Sequence, residues 1–227
     1  MKNKTVVLSL GGSLIIPNDI DVTFLKKFRT LIRDLIKHGY KFVIICGGGE
    51  VNRKYVRAAN KLNIRSDKSL DWIGIHSTWL NASLLKEFFG ADANSSIIYD
   101  YSRLTIGKKP ITIGGGWRPG CSSDYDAVLA ASKLKCHKVI NCSDIKYVYT
   151  ADPDKYPKAK PIKNMQWKEY IKQVGPYKPR GSWPFDPTAA RYAKKKRIEV
   201  IICRGKNLNN LKKIILEKDK FEGTTIR

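Results

Sequence analysis

Three glycine clusters each follow an apolar stretch, and they are the part of this sequence best suited to chemistry. They lie in the segments LSLGGS (8–13), IICGGGEVNR (44–53) and ITIGGGWRPG (111–120). Glycine lets backbone N–H groups approach an anion closely, and a following helix adds unpaired N–H groups and a positive dipole end. Arg53 can pair with phosphate oxygens through two hydrogen bonds. The pattern predicts a phosphate cradle, with three ordinary tight turns as the simpler alternative.

The elements around these clusters alternate between apolar strands and amphipathic helices. Strands are predicted at 5–10, 41–46, 96–99, 110–116, 138–142, 198–203 and 223–226. Helices are predicted at 21–39, where Asp21 is the N-cap and Gly39 the stop, and at 50–62, 69–90, 124–135, 166–174, 186–197 and 207–218. Strands that are apolar on both faces are typical of a parallel sheet covered by helices on each side. Residues 150–187 hold most of the prolines and are predicted to be rich in loops.

Composition limits the class of protein. The chain has 227 residues, of which 42% are hydrophobic, enough to bury a core as a single domain. No apolar stretch approaches the roughly 20 residues of a membrane helix, and the short apolar start does not resemble a signal peptide. The cysteines show no CxxC pair, so we expect free thiols in a reducing cytoplasm. The formal charge of +23 favours anionic partners, but without a basic stripe interleaved with aromatics a nucleic-acid site is not favoured.

Neither common phosphate-binding fingerprint is present: there is no GxxxxGK[ST], and no GxGxxG opens a helix. Another set of motifs runs along nearly the whole chain in a fixed order. They are LGGSL, GGGEVNRKY, DWIGI followed by LNA, GGWRPGCSSD, VYTADPDKYPKAKPI, DPTAA and GTTI. In order and spacing these motifs resemble the amino-acid-kinase superfamily, and within it the UMP kinases of archaeal type.

This resemblance implies a three-layer αβα sandwich around a mainly parallel sheet. It also implies transfer of the γ-phosphoryl group of ATP to UMP, with Mg²⁺, and assembly into a homo-oligomer, commonly a hexamer. An N-terminal lobe, about 1–135, would bind the acceptor, and a C-terminal lobe, about 136–227, would bind ATP. The loop-rich 150–187 region would then contribute contacts on the ATP side.

Carried over by matching positions, the resemblance implies three groups of site residues. The catalytic group is Gly11, Gly12, Ser13, Arg53 and Asp124. The UMP group is Gly48, Asp71, Trp117, Arg118, Pro119, Gly120, Cys121, Ser122 and Ser123. The ATP group is Gly12, Ser13, Gly49, Arg53, Ser143, Lys146, Tyr149 and Asp152. No residue is assigned as a dedicated metal ligand; Asp124 and Asp126 are the available carboxylates, and capping a helix is their ordinary alternative role.

The chain departs from the family pattern in three places. Ser9 stands where many members of the superfamily carry a lysine, so one expected charge is missing, and nearby Lys4 or another lysine is a candidate substitute. Trp79 stands before LNA where relatives often have arginine, and Lys146 and Tyr147 replace an acidic residue and a glycine. Two alternatives therefore stay open: the same fold acting on another small acceptor, and a nucleotide- or nucleic-acid-binding protein with weak or no catalysis.

Overall fold

The computed structural model describes residues 4–177 and 181–227, so part of the predicted loop-rich region, 178–180, lies outside the described residues. The strands are β1 (Thr5–Leu10), β2 (Lys41–Cys46), β3 (Ile111–Gly114), β4 (Lys138–Ser143), β5 (Val148–Tyr149), β6 (Pro161–Ile162), β7 (Asn164–Met165), β8 (Glu199–Arg204) and β9 (Thr224–Ile226). The helices are α1 (Gly12–Ile15), α2 (Val22–Lys37), α3 (Gly49–Lys61), α4 (Asp67–Phe89), α5 (Ser123–Lys133), α6 (Trp167–Val174), α7 (Pro187–Lys196) and α8 (Leu208–Ile215).

The central sheet has the strand order β3-β2-β1-β4-β8-β9-β7. The first five strands in this order are parallel to their neighbours, whereas β9 runs antiparallel to β8. From β1 the chain builds outward through β2 to β3, and then crosses to the other side of β1 to form β4. The switch point between β1 and β4 leaves a crevice at their carboxyl ends, where ligands bind in such sheets.

Both faces of the sheet are covered, because alternate strand residues point to opposite sides. Leu8 packs on one side with α2, α4 and α8, and Val7 packs on the other with α5, α6 and α7. Large side chains such as Phe28 and Tyr170 are almost completely buried in these two layers. The predicted three-layer αβα sandwich is confirmed. No helix in the described ranges is long and apolar enough to cross a membrane.

The predicted strand at 96–99 is wrong. Within this segment only Ile98 forms a bridge to β3, to Gly114, and a second isolated bridge joins the preceding Ala93 to Ile111. Backbone hydrogen bonds to this edge are formed only at separated points, from the N–H of Asn94 to the oxygen of Ile111 at 2.8 Å and from the N–H of Ile98 to the oxygen of Ile113 at 2.9 Å, so no continuous ladder forms in the described residues. The predicted cap of α2 is correct, because the Asp21 carboxylate accepts from the backbone N–H of the third helical residue at 2.9 Å.

Candidate functional site at the carboxyl edge of the sheet

The first two glycine loops are tied to each other and to β4. The N–H of Gly11 donates to the carbonyl oxygen of Cys142 at 2.8 Å, so the loop after β1 is attached to the end of β4. The N–H of Gly47 donates to the carbonyl oxygen of Leu10 at 2.9 Å, which attaches the loop after β2 to the end of β1. The two loops therefore form one continuous surface at the switch point of the sheet.

Glycine is required where these loops touch. A Cβ atom at Gly12 would lie 1.9 Å from the backbone nitrogen of Gly49, closer than any side chain can approach. Gly49 itself has φ of +62°, a conformation that glycine adopts at little cost. Glycine is therefore needed at these positions mainly because the two backbones touch. The absence of side chains also leaves the backbone accessible to an anion.

Four backbone N–H groups on this surface are free to bind a ligand. The amides of Gly12, Ser13, Gly48 and Gly49 have no hydrogen-bond acceptor within the part of the chain that the structure describes. They precede or begin α1 and α3, so they are among the donors that a helix leaves unpaired at its start. Asn81 fixes the opposite side of the second loop, because its Nδ2 donates to the carbonyl oxygens of Gly47 at 2.7 Å and of Gly48 at 3.2 Å.

Arg53 lies on α3 beside this surface and is held by an acidic neighbour. Its Nε is 2.5 Å from a carboxylate oxygen of Glu50, whose second oxygen pairs with Arg57. The hydrogen bonds from Arg57 and Arg53 lower the pKa of Glu50 to about 2, so this carboxylate is charged. A second guanidinium nitrogen of Arg53 donates to the carbonyl oxygen of Pro17 at 3.3 Å. The side chain is half exposed and is oriented before any phosphate arrives.

The third glycine cluster has a different role from the first two. The N–H groups of Gly115, Gly116 and Trp117 all donate within the protein. Their acceptors are, in order, the carbonyl oxygen of Ile98 at 3.1 Å, Oγ1 of Thr78 at 2.6 Å and Oδ2 of Asp126 at 3.1 Å. We expected all three clusters to present free amides. Only the first two do, because one backbone carbonyl and two side chains from other elements already accept from the amides of the third.

The carbonyl groups of the third cluster are also held by side chains. The indole Nε1 of Trp79 donates to the oxygen of Gly116, and the hydroxyl of Tyr101 donates to the oxygen of Gly115, both at 2.7 Å. Trp79 thus fills the position where relatives often have arginine with a neutral donor that fixes the loop. The third cluster is a rigid wall of the site.

The segment 117–123 continues from this wall to the start of α5. Asp71 on α4 accepts a hydrogen bond from the N–H of Gly120 at 2.8 Å, and the guanidinium of Arg118 lies 4.1 Å from the ring centre of Trp117. Ser122 caps α5. The predicted acceptor residues Pro119, Cys121 and Ser123 lie in this same segment. The structure therefore brings Asp71 and the whole segment together.

Asp124 sits between the two halves of the sheet and has only neutral partners. Its Oδ1 accepts from Oγ of Ser9 at 3.0 Å and from Nδ2 of Asn141 at 2.6 Å, and its Oδ2 accepts from the N–H of Asp186 at 3.2 Å. Burial raises the pKa of Asp124 to about 6, although these hydrogen bonds act in the opposite direction and lower it. Lys4 does not supply the missing charge, because it lies at the amino end of β1 and donates to the carbonyl oxygen of His38.

Asp126 is the most buried carboxyl group here. It has no exposed surface, its Oδ2 accepts from Trp117, and its Oδ1 has no partner among the described residues. Burial, with a smaller contribution from the charge of Asp124, raises the pKa of Asp126 to about 8. The N-cap carboxylate of Asp186 also has its pKa raised by burial. Three aspartates in one region therefore have raised pKa values, each mainly because of burial.

Four of the residues predicted for ATP lie at the end of β4 or after it: Ser143, Lys146, Tyr149 and Asp152, whereas the other four belong to the first two loops and α3. The buried Oγ of Ser143 has no partner in the described ranges. Nζ of Lys146 is 2.7 Å from Glu222, which raises the pKa of that lysine. Tyr149 lies in β5, and Asp152 accepts a hydrogen bond within the turn that follows.

Buried oxygens without a partner in the described chain gather at this edge. They belong to Asn52, Asn81, Asp126, Asn141 and Ser143. Buried polar atoms are normally hydrogen-bonded, so a group of unpaired ones is typical of a site that awaits a ligand. Asn81, Asn141, Asp186 and Ser9 were not predicted as site residues. Two of them lie in motifs that the sequence shows, Asn81 in LNA and Asp186 in DPTAA. The other two, Ser9 and Asn141, are polar residues inside apolar strands, which is the signal that could have identified them.

The family model described as the amino acid kinase family matches residues 4–113 and 109–204. The chain belongs to the amino acid kinase family. A uridylate kinase from Thermococcus onnurineus is 32% identical to it, covering 97% of this chain and 98% of that protein. One from Thermoplasma acidophilum is 30% identical over 99% of this chain and 97% of that protein. The crystal structure of uridylate kinase from Archaeoglobus fulgidus superposes with a TM-score of 0.80 at 27% identity, over 99% of this chain and 100% of that one.

Membership of the amino acid kinase family raises the question of Mg²⁺. Within the described residues, no group of three or more His, Cys, Asp or Glu side chains is placed to hold a metal ion. Both oxygens of Asp124 already accept hydrogen bonds from the protein. Mg²⁺ commonly takes its remaining ligands from phosphates and water. The described side chains do not fit an ion held by the protein alone.

We predict that Trp79→Phe destabilises the chain by about 1–3 kcal/mol, because it leaves the buried carbonyl oxygen of Gly116 without a donor. Urea unfolding followed by circular dichroism measures this change. Trp72→Phe is the matched control, since Trp72 lies on the same helix and packs against the Trp79 ring with centres 6.4 Å apart. Equal losses in both variants would show that ring packing, rather than the hydrogen bond, stabilises this loop.

We predict that thermal stability falls as pH rises from about 5 to 8, and that Asp126→Asn reduces this fall. The folded chain keeps a proton on Asp126 that the unfolded chain loses near its ordinary pKa of 3.8, so the free energy of unfolding decreases over this range. Asparagine keeps an acceptor for Trp117 and does not titrate. Melting temperatures at both pH values test this, with exposed Asp154→Asn as the control. An unchanged pH dependence in Asp126→Asn would contradict the prediction.

Proposed function

We propose that this chain is a UMP kinase, which transfers the γ-phosphoryl group of ATP to UMP and produces UDP and ADP. The observation that carries the proposal is the surface of four free amides, on two adjacent loops at the switch point of the sheet. Full-length similarity to uridylate kinases supports the choice of acceptor. The region before about 135 would hold UMP and the region after it ATP.

Positioning and electrostatics account for most of the catalysis of phosphoryl transfer. In this proposal UMP lies against the rigid third cluster and segment 117–123, where Asp71 meets the sugar and the base faces Trp117. ATP lies beside Ser143, Tyr149 and Lys146, the last released from Glu222 or bridging to it. The phosphates then meet over the amides of the first two loops. A phosphate oxygen of UMP is already an anionic nucleophile, so no side chain has to remove a proton.

The neutral surroundings of Asp124 fit a positioning role in this reaction. It joins β1, β4 and the start of α7 through three hydrogen bonds, and so fixes the crevice between the two substrates. Positive charge comes from Arg53 on the acceptor side and from Lys146 on the ATP side.

A homo-oligomer, commonly a hexamer in similar enzymes, and a cytoplasmic location remain part of this proposal. Exposed apolar side chains support an assembly: Leu62 on the loop after α3 is 75% exposed, and Leu80 on α4 is 61% exposed. The positive net charge is also compatible with binding of nucleic acid, which is not the favoured partner.

The experiment that tests the proposal is an ADP-release assay with ATP and Mg²⁺, in which UMP, CMP and dUMP are compared. We expect UMP to give the highest kcat/KM. Turnover of another small acceptor while UMP stays inert would favour a different kinase of the same family. Thermal stabilisation by UMP and ATP without ADP release would favour a binding protein.

We predict that Arg53→Ala lowers kcat/KM by about 100-fold, the equivalent of roughly 2–3 kcal/mol for a lost charged hydrogen bond to phosphate. Arg57→Ala is the matched control, because Arg57 shares the Glu50 carboxylate but lies one helical turn farther from the glycine loops. We expect less than about a threefold change in that control. Similar losses in both variants would indicate a general effect of surface charge.

A further inference from the structure

A second concave site lies at the opposite edge of the sheet. It is a cavity of about 1020 Å³ at the amino ends of β1, β4 and β8. Its volume matches the upper range of small-molecule sites. Since each of these strands has six residues, the cavity is roughly 15–20 Å from the glycine loops. It shares no residue with the site described above.

The side chains around this cavity are strongly basic. Seven of them are Lys or Arg and two are Glu, which leaves a formal excess of five positive charges. Both glutamates, Glu199 and Glu217, pair with the single lysine Lys138, at 3.7 Å and 3.1 Å. The other cations have no carboxylate within 4.0 Å in the described part of the chain. They are Lys4, Lys135, Lys168, Lys194, Arg197 and Arg227.

Helix dipoles do not account for this charge. Helices α5, α7 and α8 end at this edge, and each contributes about half a negative charge at its C-terminus. Three such ends amount to roughly 1.5 negative charges, well below the excess of five. Most of the positive charge is therefore left to attract an anion.

Backbone conformation places some of these charges in unusual positions. Lys135, Arg197 and Glu217 each follow the end of a helix with φ near +55°, and they are three of the four non-glycine residues with positive φ in the described ranges. Glycine adopts this conformation with the least strain. Charged residues at such positions cluster around this cavity, as strained residues commonly do at functional sites.

The floor of the cavity is apolar. Ile140, Ile198 and Ile214 are almost fully buried beneath it, and Trp167 lies against one side with its indole N–H donating to the carbonyl oxygen of Ile198. A rim of cations over an apolar floor suits a molecule with separate charged and hydrophobic parts.

We propose that this cavity is a second binding site, for a small multivalent anion with an apolar or aromatic body, such as a phosphorylated metabolite. The basic run 194–197 divides accordingly. Lys194 and Arg197 line the cavity, whereas Lys195 and Lys196 on the same helix do not. Substituting either pair of residues changes the net charge of the protein by the same amount, but only one pair lines the cavity.

The test is a fluorescence titration of the full chain with anilinonaphthalene sulfonate, an anion with an aromatic body, and displacement of this probe by tripolyphosphate at constant ionic strength. We expect binding at one site, with affinity at least tenfold weaker in Lys194→Glu/Arg197→Glu. Lys195→Glu/Lys196→Glu should change the affinity by less than twofold. Should the first variant fail to fold, Lys135→Glu/Lys168→Glu carries the same expectation.

Three results would overturn the proposal. The first is a failure of the wild-type chain to bind the probe. The second is equal behaviour of the two double variants, which would indicate either general surface charge or binding elsewhere. The third is no displacement by tripolyphosphate, which would exclude a multivalent anion. None of these readouts depends on kinase activity, so they separate this proposal from the proposed reaction.

Discussion

The contact between Gly12 and Gly49 is the constraint on which the rest of the site depends. Two loops from neighbouring parallel strands meet there with no side chain between them, and a Cβ at Gly12 would overlap the Gly49 nitrogen. Because the two backbones touch, their free amides form one surface instead of two separate turns. The strands hold this surface rigidly, since the loops are also joined to β1 and β4 by backbone hydrogen bonds.

Around that surface the protein combines neutral donors with buried acids. Asp124 is held by a serine, an asparagine and a backbone amide, and no ion pair to it is formed by residues 4–177 and 181–227. Burial then raises its pKa and that of Asp126. A site of this kind is less stable at high pH than one built from ion pairs.

The sequence was informative wherever a local rule decides the structure. Strands β1 and β2 were predicted to the residue, because each mainly apolar run ends directly before a glycine. The N-cap of α2 followed from Asp21 alone. The isolated pairing at 96–99 was not predictable from its apolar residues, because it depends on how the segment meets the edge of β3, where only isolated bridges form. The satisfied amides of the third cluster depend on Thr78 and Asp126, which precede or follow that loop by many residues. Ser9 was recognised as a departure from the family pattern. Its hydrogen bond to Asp124 could not be predicted, because the two residues are far apart in the sequence and meet only in the folded chain.

The fixed third loop has a consequence for how substrate choice can change in such an enzyme. Its backbone is fastened by Thr78, Trp79 and Tyr101, none of which lies in the segment that follows. The exposed side chain of Arg118 can therefore be exchanged without moving the wall behind it, whereas Gly120, with φ of +81°, and Ser122, the cap of α5, are constrained. If the proposed reaction holds, acceptor preference can evolve at a few positions of this segment while the fold stays intact.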